Sequence, residues 1–327
     1  MTTDQPAAPI AAGPLVVGLN AVIFAVENGE PKVLVTEGAD GQTALPFGPF
    51  DPAAHRTFEI GLREWVRTQT GFELGYVEQL YTFGDKGREA PLAALTGSAG
   101  ARVISVGYLG LAPEARALPG AGRWEPWSRF FPWEDHREGR PDMISVIIEP
   151  RLRSWADEAA APGRRAARVE RARTTFGLDG APWNEERALD RYELLYEAGL
   201  VAEAWRDQTL QPDGSQLGAS MASDHRRILA TAISRLRGKI KYRPVAFELM
   251  PTEFTLSQLQ KVVEGLAGFA LHKQNFRRAL DRAGFVEGTG RLEPKTGGRP
   301  AELHRFRRES APRGAALGLA IPRLKDH

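Results

Sequence analysis

TLSQLQKVVEGLAGFALHKQNFRRALDRAG, residues 255–284, reads as two short helices meeting at a tight turn. Thr255 followed by Gln258 has the spacing of a capping box, in which each side chain satisfies an otherwise orphaned N–H of the helix start. Leu259, Val262, Val263 and Leu266 form the apolar stripe of the first helix, and Gly268 stands where a C-terminal glycine stops it. The second helix runs from about His272 to Ala283. Phe276, Ala279, Leu280 and Ala283 can bury one face, while Gln274, Arg277, Arg278 and Asp281 occupy the other, with Lys273 and Asn275 at its start. Arginine pairs with guanine, and asparagine or glutamine with adenine, so this face suits base edges and phosphates in a major groove.

Working outward, residues 285–287 and 301–306 can pair as a hairpin. Its tip is flexible and basic, with Gly288, Gly290, Arg291, Lys295, Gly297, Gly298 and Arg299. Such a tip is a wing able to lie along the phosphate backbone. Upstream, Leu229, Ala232, Ile233, Leu236 and Ile240 define a further amphipathic helix beginning near Asp224. Helix, capped helix, basic helix and basic hairpin, in that order, describe a winged helix-turn-helix. Lys273, Gln274, Asn275, Arg277, Arg278, Arg291, Lys295 and Arg299 are its candidate contacts to double-stranded DNA. The plainer alternative is a small helical domain with solvated arginines.

Charge supports the sharper reading. From Ala222 onward there are 21 Lys+Arg against 10 Asp+Glu, a net of +11, whereas the preceding residues net −9. A basic third on an acidic body points to a polyanionic partner for that third. With 42% hydrophobic and 26% charged residues over 327 positions, the chain has material for two ordinary cores. It contains no cysteine, which excludes disulfides, thiolate metal sites and a cysteine nucleophile and suits a reducing cytoplasm. The apolar run 15–26 is interrupted by Gly18 and Asn20 and is too short to span a bilayer, so no membrane association is expected.

In the first half, residues 16–26 and 32–36 read as strands joined by an Asn28-Gly29 hairpin turn. A loop rich in Gly and Pro follows, then a helix over about 53–70 stopped by Gly71. Strands are expected at 76–83, 102–111 and 143–148, and a helix opens at 151–158. Residues 162–207 are mostly helical, and 207–220, rich in Gln, Gly, Ser and Pro, read as an inter-domain linker.

This order resembles the Nudix fold over residues 16–158, with Arg63-Glu64 followed by Thr70-Gly71 in the place of a Nudix box. The box needs a glycine loop, an early glutamate, Arg-Glu, and two further glutamates three and four positions on, which together hold Mg²⁺. Aligned on Arg63-Glu64, His55 stands at the early position and Arg67 and Thr68 at the last two; aligned on Gly71, the last two are Thr68 and Gln69. Glu64 and Glu59 remain, and Arg67 would repel a dication. The expectation is a disabled hydrolase and no enzyme activity.

QLYTFGD at 79–85, RVISVGY at 102–108, YRPVAFEL at 242–249 and GRPA at 298–301 are similar to the Nudix-related transcriptional regulators of NAD metabolism. GYVEQLYTFGD at 75–85 and the longer middle region look most like the NadQ group among them. The resemblance implies an α+β chain. An N-terminal Nudix-like α/β/α sandwich with a mixed sheet senses an effector over 15–160. A helical connector and linker cover 161–221, a winged helix-turn-helix covers 222–310, and disordered tails flank them at 1–14 and 311–327.

It further implies a cytoplasmic homodimer that represses genes of de novo NAD synthesis. Binding of an adenine nucleotide, ATP first and NAD or ADP-ribose as alternatives, would release the DNA operator, and no cofactor is required. Arg63, Phe83, Asp85, Lys86, Arg88 and Arg102 are the candidate effector contacts, with Phe83 available to stack on a base. For each the plain alternative is a surface charge or, for Phe83, a core aromatic. Two other functions stay open: an active Nudix hydrolase of ADP-ribose or a related dinucleotide with a nucleic-acid-binding tail, and an RNA-binding or scaffold protein. RNA recognition would favour aromatic platforms beside the cations, whereas Phe276 faces inward.

Overall fold

The computed structural model describes residues 14–38, 41–85, 101–116, 118–208, 217–242, 244–293 and 300–307. The expected tails at 1–14 and 311–327 lie outside them, apart from Pro14.

β1 (Leu15–Glu27) and β2 (Glu30–Glu37) form the expected hairpin. Asn28 and Gly29 have φ of 54° and 83°, the left-handed pair that a two-residue turn between twisted strands demands. β3 (Thr43–Ala44) and β4 (Phe47–Pro49) come next. α1 (Phe58–Thr70) starts later than the apolar pattern suggests, because Thr57 Oγ1 caps it by accepting from Ile60 N at 3.2 Å. Residues 51–55 instead close a turn in which His55 Nδ1 accepts from Asp51 N. Gly71, at φ 69°, ends α1 as anticipated. β5 (Tyr76–Phe83), β6 (Arg102–Leu111) and β7 (Arg123–Pro126) complete one sheet in the order β3-β2-β1-β6-β5, with β4 on β1 and β7 on β2. β1 and β6 run parallel from Leu15 opposite Arg102 to Phe24 opposite Leu111, and the other pairs are antiparallel. Leu19, Ala21 and Ile23 on one face of β1 pack with Leu62 and Val66 of α1. Val22 and Phe24 on the other face meet the remaining helices, which makes the expected α/β/α sandwich.

The strand expected at 143–148 is helical. Ile144–Ile148 is a π-helical turn leading into α2 (Glu149–Asp157). Ile144, Ile148 and Leu152 are buried at four-residue spacing while Val146 is 70% exposed, so the burial period is that of a helix. α3 (Pro162–Phe176), α4 (Ala188–Glu197), α5 (Ala202–Gln208) and α6 (His225–Tyr242) follow.

Packing does not separate the chain at 222. The stripe of α6, from Ile228 and Leu229 to Leu236 and Ile240, is buried in the same cluster as Val22, Phe24 and Leu109. This helix closes the second face of the sheet. Nor do the described ends of the expected linker hang free: Leu217 is buried and Ala219 N donates to Arg129 O at 2.9 Å. Chain direction passes to the last unit through a 3₁₀ turn, Val245–Leu249.

That unit holds β8 (Phe254–Thr255), α7 (Leu256–Ala267), α8 (Lys273–Ala283), β9 (Val286–Glu293) and β10 (Ala301–Phe306), with a sheet in the order β8-β10-β9. Phe247, Phe254, Phe276, Leu280 and Phe285 fill its interior, and Phe306 stacks on Phe247 at 4.3 Å. The expected winged helix is therefore present, seated directly on the body. Gly265 of α7 lies against the backbone oxygen of Gly29 and the Pro31 ring. His136 N also donates to Gly268 O at 2.7 Å.

Candidate functional site

α8 is anchored by Phe276 and Leu280, both buried, so its outer face is fixed in direction. Lys273, Gln274, Arg277 and Arg278 are exposed on it, and Asn275 is half-buried. Arg282, one turn after Arg278, is exposed as well; its i+4 spacing could have found it. Among the described residues none of these cations forms an ion pair, so their donors are available to phosphates and base edges. The capping box of α7 is formed, with Gln258 N donating to Thr255 Oγ1 at 3.2 Å and Thr255 N to Gln258 Oε1 at 2.7 Å. Gly268, at φ 78°, turns the chain towards α8.

The wing is less simply basic than expected. Arg291 pairs with Glu253, just ahead of α7, while Arg305 and Arg307 share Glu287 across the hairpin. Arg291 thus ties the wing to the unit's own framework, and a phosphate would have to compete with Glu253 for it. Lys295 and Arg299 lie outside the described residues.

Among the described residues, the expected effector contacts Arg63, Phe83, Asp85 and Arg102 do not form one cluster. Arg63 donates from Nε to Glu59 at 2.9 Å and from its other nitrogens to the carbonyls of Leu74 and Gly75. It pins the start of β5. Phe83, Asp85 and Arg102 lie at the far end of that strand, roughly 23 Å away at the usual rise per strand residue. There Arg102 donates to Gly84 O and Asp85 pairs with Arg227. Phe83 is only 4% exposed and belongs to the main core, with the Arg227 guanidinium 5.5 Å from its ring centre. It is the core aromatic of the plainer reading and is not presented for stacking. Tyr81, at 64% exposure and in edge contact with Phe83, is the aromatic that faces out. Lys86 and Arg88 lie outside the described residues.

A Nudix fold implies a Mg²⁺ ion, and the residues on α1 do not fit one. Glu59 is held by Arg63 at 2.8 Å, and Glu64 stands 3.5 Å from the buried His55 imidazole. Arg67 and Thr68, exposed on the next turn, supply a cation and a hydroxyl where two carboxylates would be needed.

Sequence reading missed a buried ionic joint between the body and the winged helix. Glu134 accepts from Arg191 Nε at 2.5 Å and Nη2 at 2.8 Å, and also from Arg237 Nη1. Arg237 further donates to Leu266 O of α7 at 3.0 Å and to the backbone oxygens of Glu134 and Glu185. All three side chains are essentially inaccessible. Burial alone pushes the Glu134 carboxyl up, but the two guanidiniums outweigh it and hold the group below its ordinary range. Arg226 and Glu203 make a second buried pair at 3.1 Å. The partners are distant in sequence, so no local pattern marks them.

Two histidines carry a testable consequence. Burial holds His225 at a pKa of about 3; its Nδ1 accepts from Leu45 N at 3.0 Å. Burial, reinforced by Arg191 and Arg237, outweighs Glu134 and holds His136 near 4. Between the ordinary imidazole value and these, the unfolded chain binds protons that the folded chain refuses, so stability falls as pH falls. Each histidine is expected to cost about 2 kcal/mol on going from pH 7.5 to 5. Glu134, whose folded value is lowered, adds a loss in the same direction at still lower pH. Urea midpoints at the two pH values measure this; equal midpoints would mean that the rings take up protons in the folded chain.

Residues 246–306 match the family of the NrtR DNA-binding winged helix domain. The chain is 35% identical over 120 residues to the ADPR-responsive transcriptional repressor NtrR of Acinetobacter baylyi, a match covering 35% of this chain and 48% of that relative. The aligned part thus spans about half of the curated relative's length. In fold it resembles Shewanella oneidensis NrtR, crystallised with a 27mer DNA, at a TM-score of 0.54 and 19% identity over 90% of this chain and 95% of that one. It also resembles a MutT/nudix family protein from Enterococcus faecalis, at a TM-score of 0.53 and 15% identity over 92% and 89%. Residues 246–306, with their capped α7, cationic α8 and β9–β10 wing, thus match the NrtR DNA-binding winged helix model, and the chain shares with NrtR the fold of a Nudix-like domain followed by a winged helix.

Proposed function

We propose that the chain is a transcriptional repressor that binds double-stranded DNA through α8 and its wing and releases it when the Nudix-like domain binds an adenine nucleotide. The observation that carries this is the cationic face of α8, free of ion pairs among the described residues, on a winged helix seated firmly on a Nudix-like body. Such a seat lets a change in the body move the recognition helix. ADP-ribose replaces ATP as the leading effector, because the Acinetobacter baylyi relative is ADPR-responsive. The regulated genes are those of de novo NAD synthesis, and the active form is a homodimer, whose paired recognition helices would meet half-sites a fixed number of helical turns apart. Diphosphate hydrolysis is lost, in keeping with Arg67 and Thr68 in place of carboxylates. Incubation of ADP-ribose with the full chain and Mg²⁺ should release no AMP.

Fluorescence anisotropy on a duplex carrying the operator, with a scrambled duplex as reference, tests the interface. Arg277→Ala should weaken specific binding by about 1–3 kcal/mol while leaving scrambled DNA little affected. Arg299→Ala should weaken both alike and reduce the salt slope by about one unit. Wild-type behaviour of both variants would remove α8 and the wing from the interface.

A further inference from the structure

We infer that α6 (His225–Tyr242) is the lever joining sensor to output, with Arg227 at its start reading Asp85 just past β5 and Arg237 near its end holding the helix-turn-helix. This rests on the reading just proposed and adds the residues that couple its two sites.

At the first end, Arg227 pairs with Asp85, two residues past β5, with Glu193 of α4 at 2.6 Å, and with Asp224 at 3.5 Å. Its guanidinium also faces the Phe83 ring. Any change that draws Asp85 aside alters the charge balance on Arg227 and hence the seat of α6.

At the second end, ten residues and about 15 Å along the helix, Arg237 meets both the body and α7. Its Nε donates to Leu266 O, one Nη to the Glu134 carboxylate and Glu185 O, and the other to Glu134 O. A planar guanidinium with every edge occupied transmits displacement instead of absorbing it, because leaving a buried donor unsatisfied is costly. Gly268 shows how closely the turn rests on this group: a Cβ there would lie 2.6 Å from Arg237 Nη2 and 2.5 Å from Glu134 O. Movement of α6 must therefore carry Leu266 and Gly268, and with them the angle of α8. Between its two arginines α6 is buried against the sheet through Ile228, Leu229, Ala232, Ile233 and Leu236, so it moves as a rigid body.

The test uses the full chain, an operator duplex and ADP-ribose, and reads the ratio of DNA Kd with and without saturating ligand. Calorimetry establishes saturation. Wild type should show a ratio of about 5–150. In Arg227→Gln ADP-ribose should still bind and the ratio should collapse to about one, wherever loss of the charge sets the ligand-free DNA Kd, since the coupling is what is lost. Arg227→Lys, which keeps the charge without the fork, should give a ratio between the two. Wild-type ratios in both variants would overturn the lever. So would loss of ADP-ribose binding in Arg227→Gln, which would make the residue a ligand contact. A wild-type ratio of one would instead refute the ligand-controlled reading itself and the lever with it, and wild type alone reveals that.

Discussion

Glu134→Gln is expected to destabilise the folded chain by about 3–5 kcal/mol, as removal of one partner from a buried ion pair does. Glutamine keeps the shape and one acceptor oxygen, so the substitution isolates the charge. Without it, Arg191 and Arg237 sit in an interior from which water is excluded, with no anion to balance them. Arg191 additionally lies over the Trp183 ring at 3.8 Å and cannot swing to solvent without breaking that contact. Urea unfolding at neutral pH measures the effect; a loss below about 1 kcal/mol, the level of an exposed pair, would show that the carboxylate is solvated. Because Arg237 also holds Leu266, the variant should lose DNA affinity under conditions where it is still folded.

Gly265→Ala should produce a sign reversal. In an isolated helix alanine is favoured over glycine by about 1 kcal/mol. In α7 the new Cβ would strike the Gly29 carbonyl oxygen and come within 3.0 Å of the Pro31 ring. Neither can retreat, since both belong to the β1–β2 turn fixed by the positive φ angles of Asn28 and Gly29. The helix must back away from the hairpin, so a net cost of about 1–3 kcal/mol is expected, typical of overpacking. The winged helix would tilt on the body, and operator binding should weaken more than binding to scrambled DNA. Stabilisation by alanine would mean that the winged helix is not seated on the hairpin.

Features governed by neighbouring residues were legible from the sequence. Thr255 with Gln258, Asn28-Gly29 and Gly71 each act over a few positions, and each does in the fold what its chemistry requires. Residues 143–148 read as a strand because five apolar positions broken only by Ser145 cannot distinguish a period of two from one near four. Only the burial of Leu152 in line with Ile144 and Ile148 decides it. The stripe of α6 announced an amphipathic helix but not which surface it would cover. That choice depends on contacts with β1, β5 and β6, far away in the chain. Phe83 illustrates the same limit at the candidate effector site: its aromatic character is visible, but its burial follows from the packing of α6 over the sheet. Arg237 and Glu134, 103 positions apart, carry no local signature at all.

A mobility shift with the full chain, on DNA from upstream of its own gene and from NAD-biosynthesis promoters, with ADP-ribose, ATP and NAD added in turn, decides whether the chain is a sequence-specific DNA binder released by a nucleotide. The expected result is a complex that survives excess scrambled competitor and dissolves on addition of an adenine nucleotide, ADP-ribose foremost. A complex that forms equally on any sequence, or that none of the three nucleotides disturbs, would contradict it.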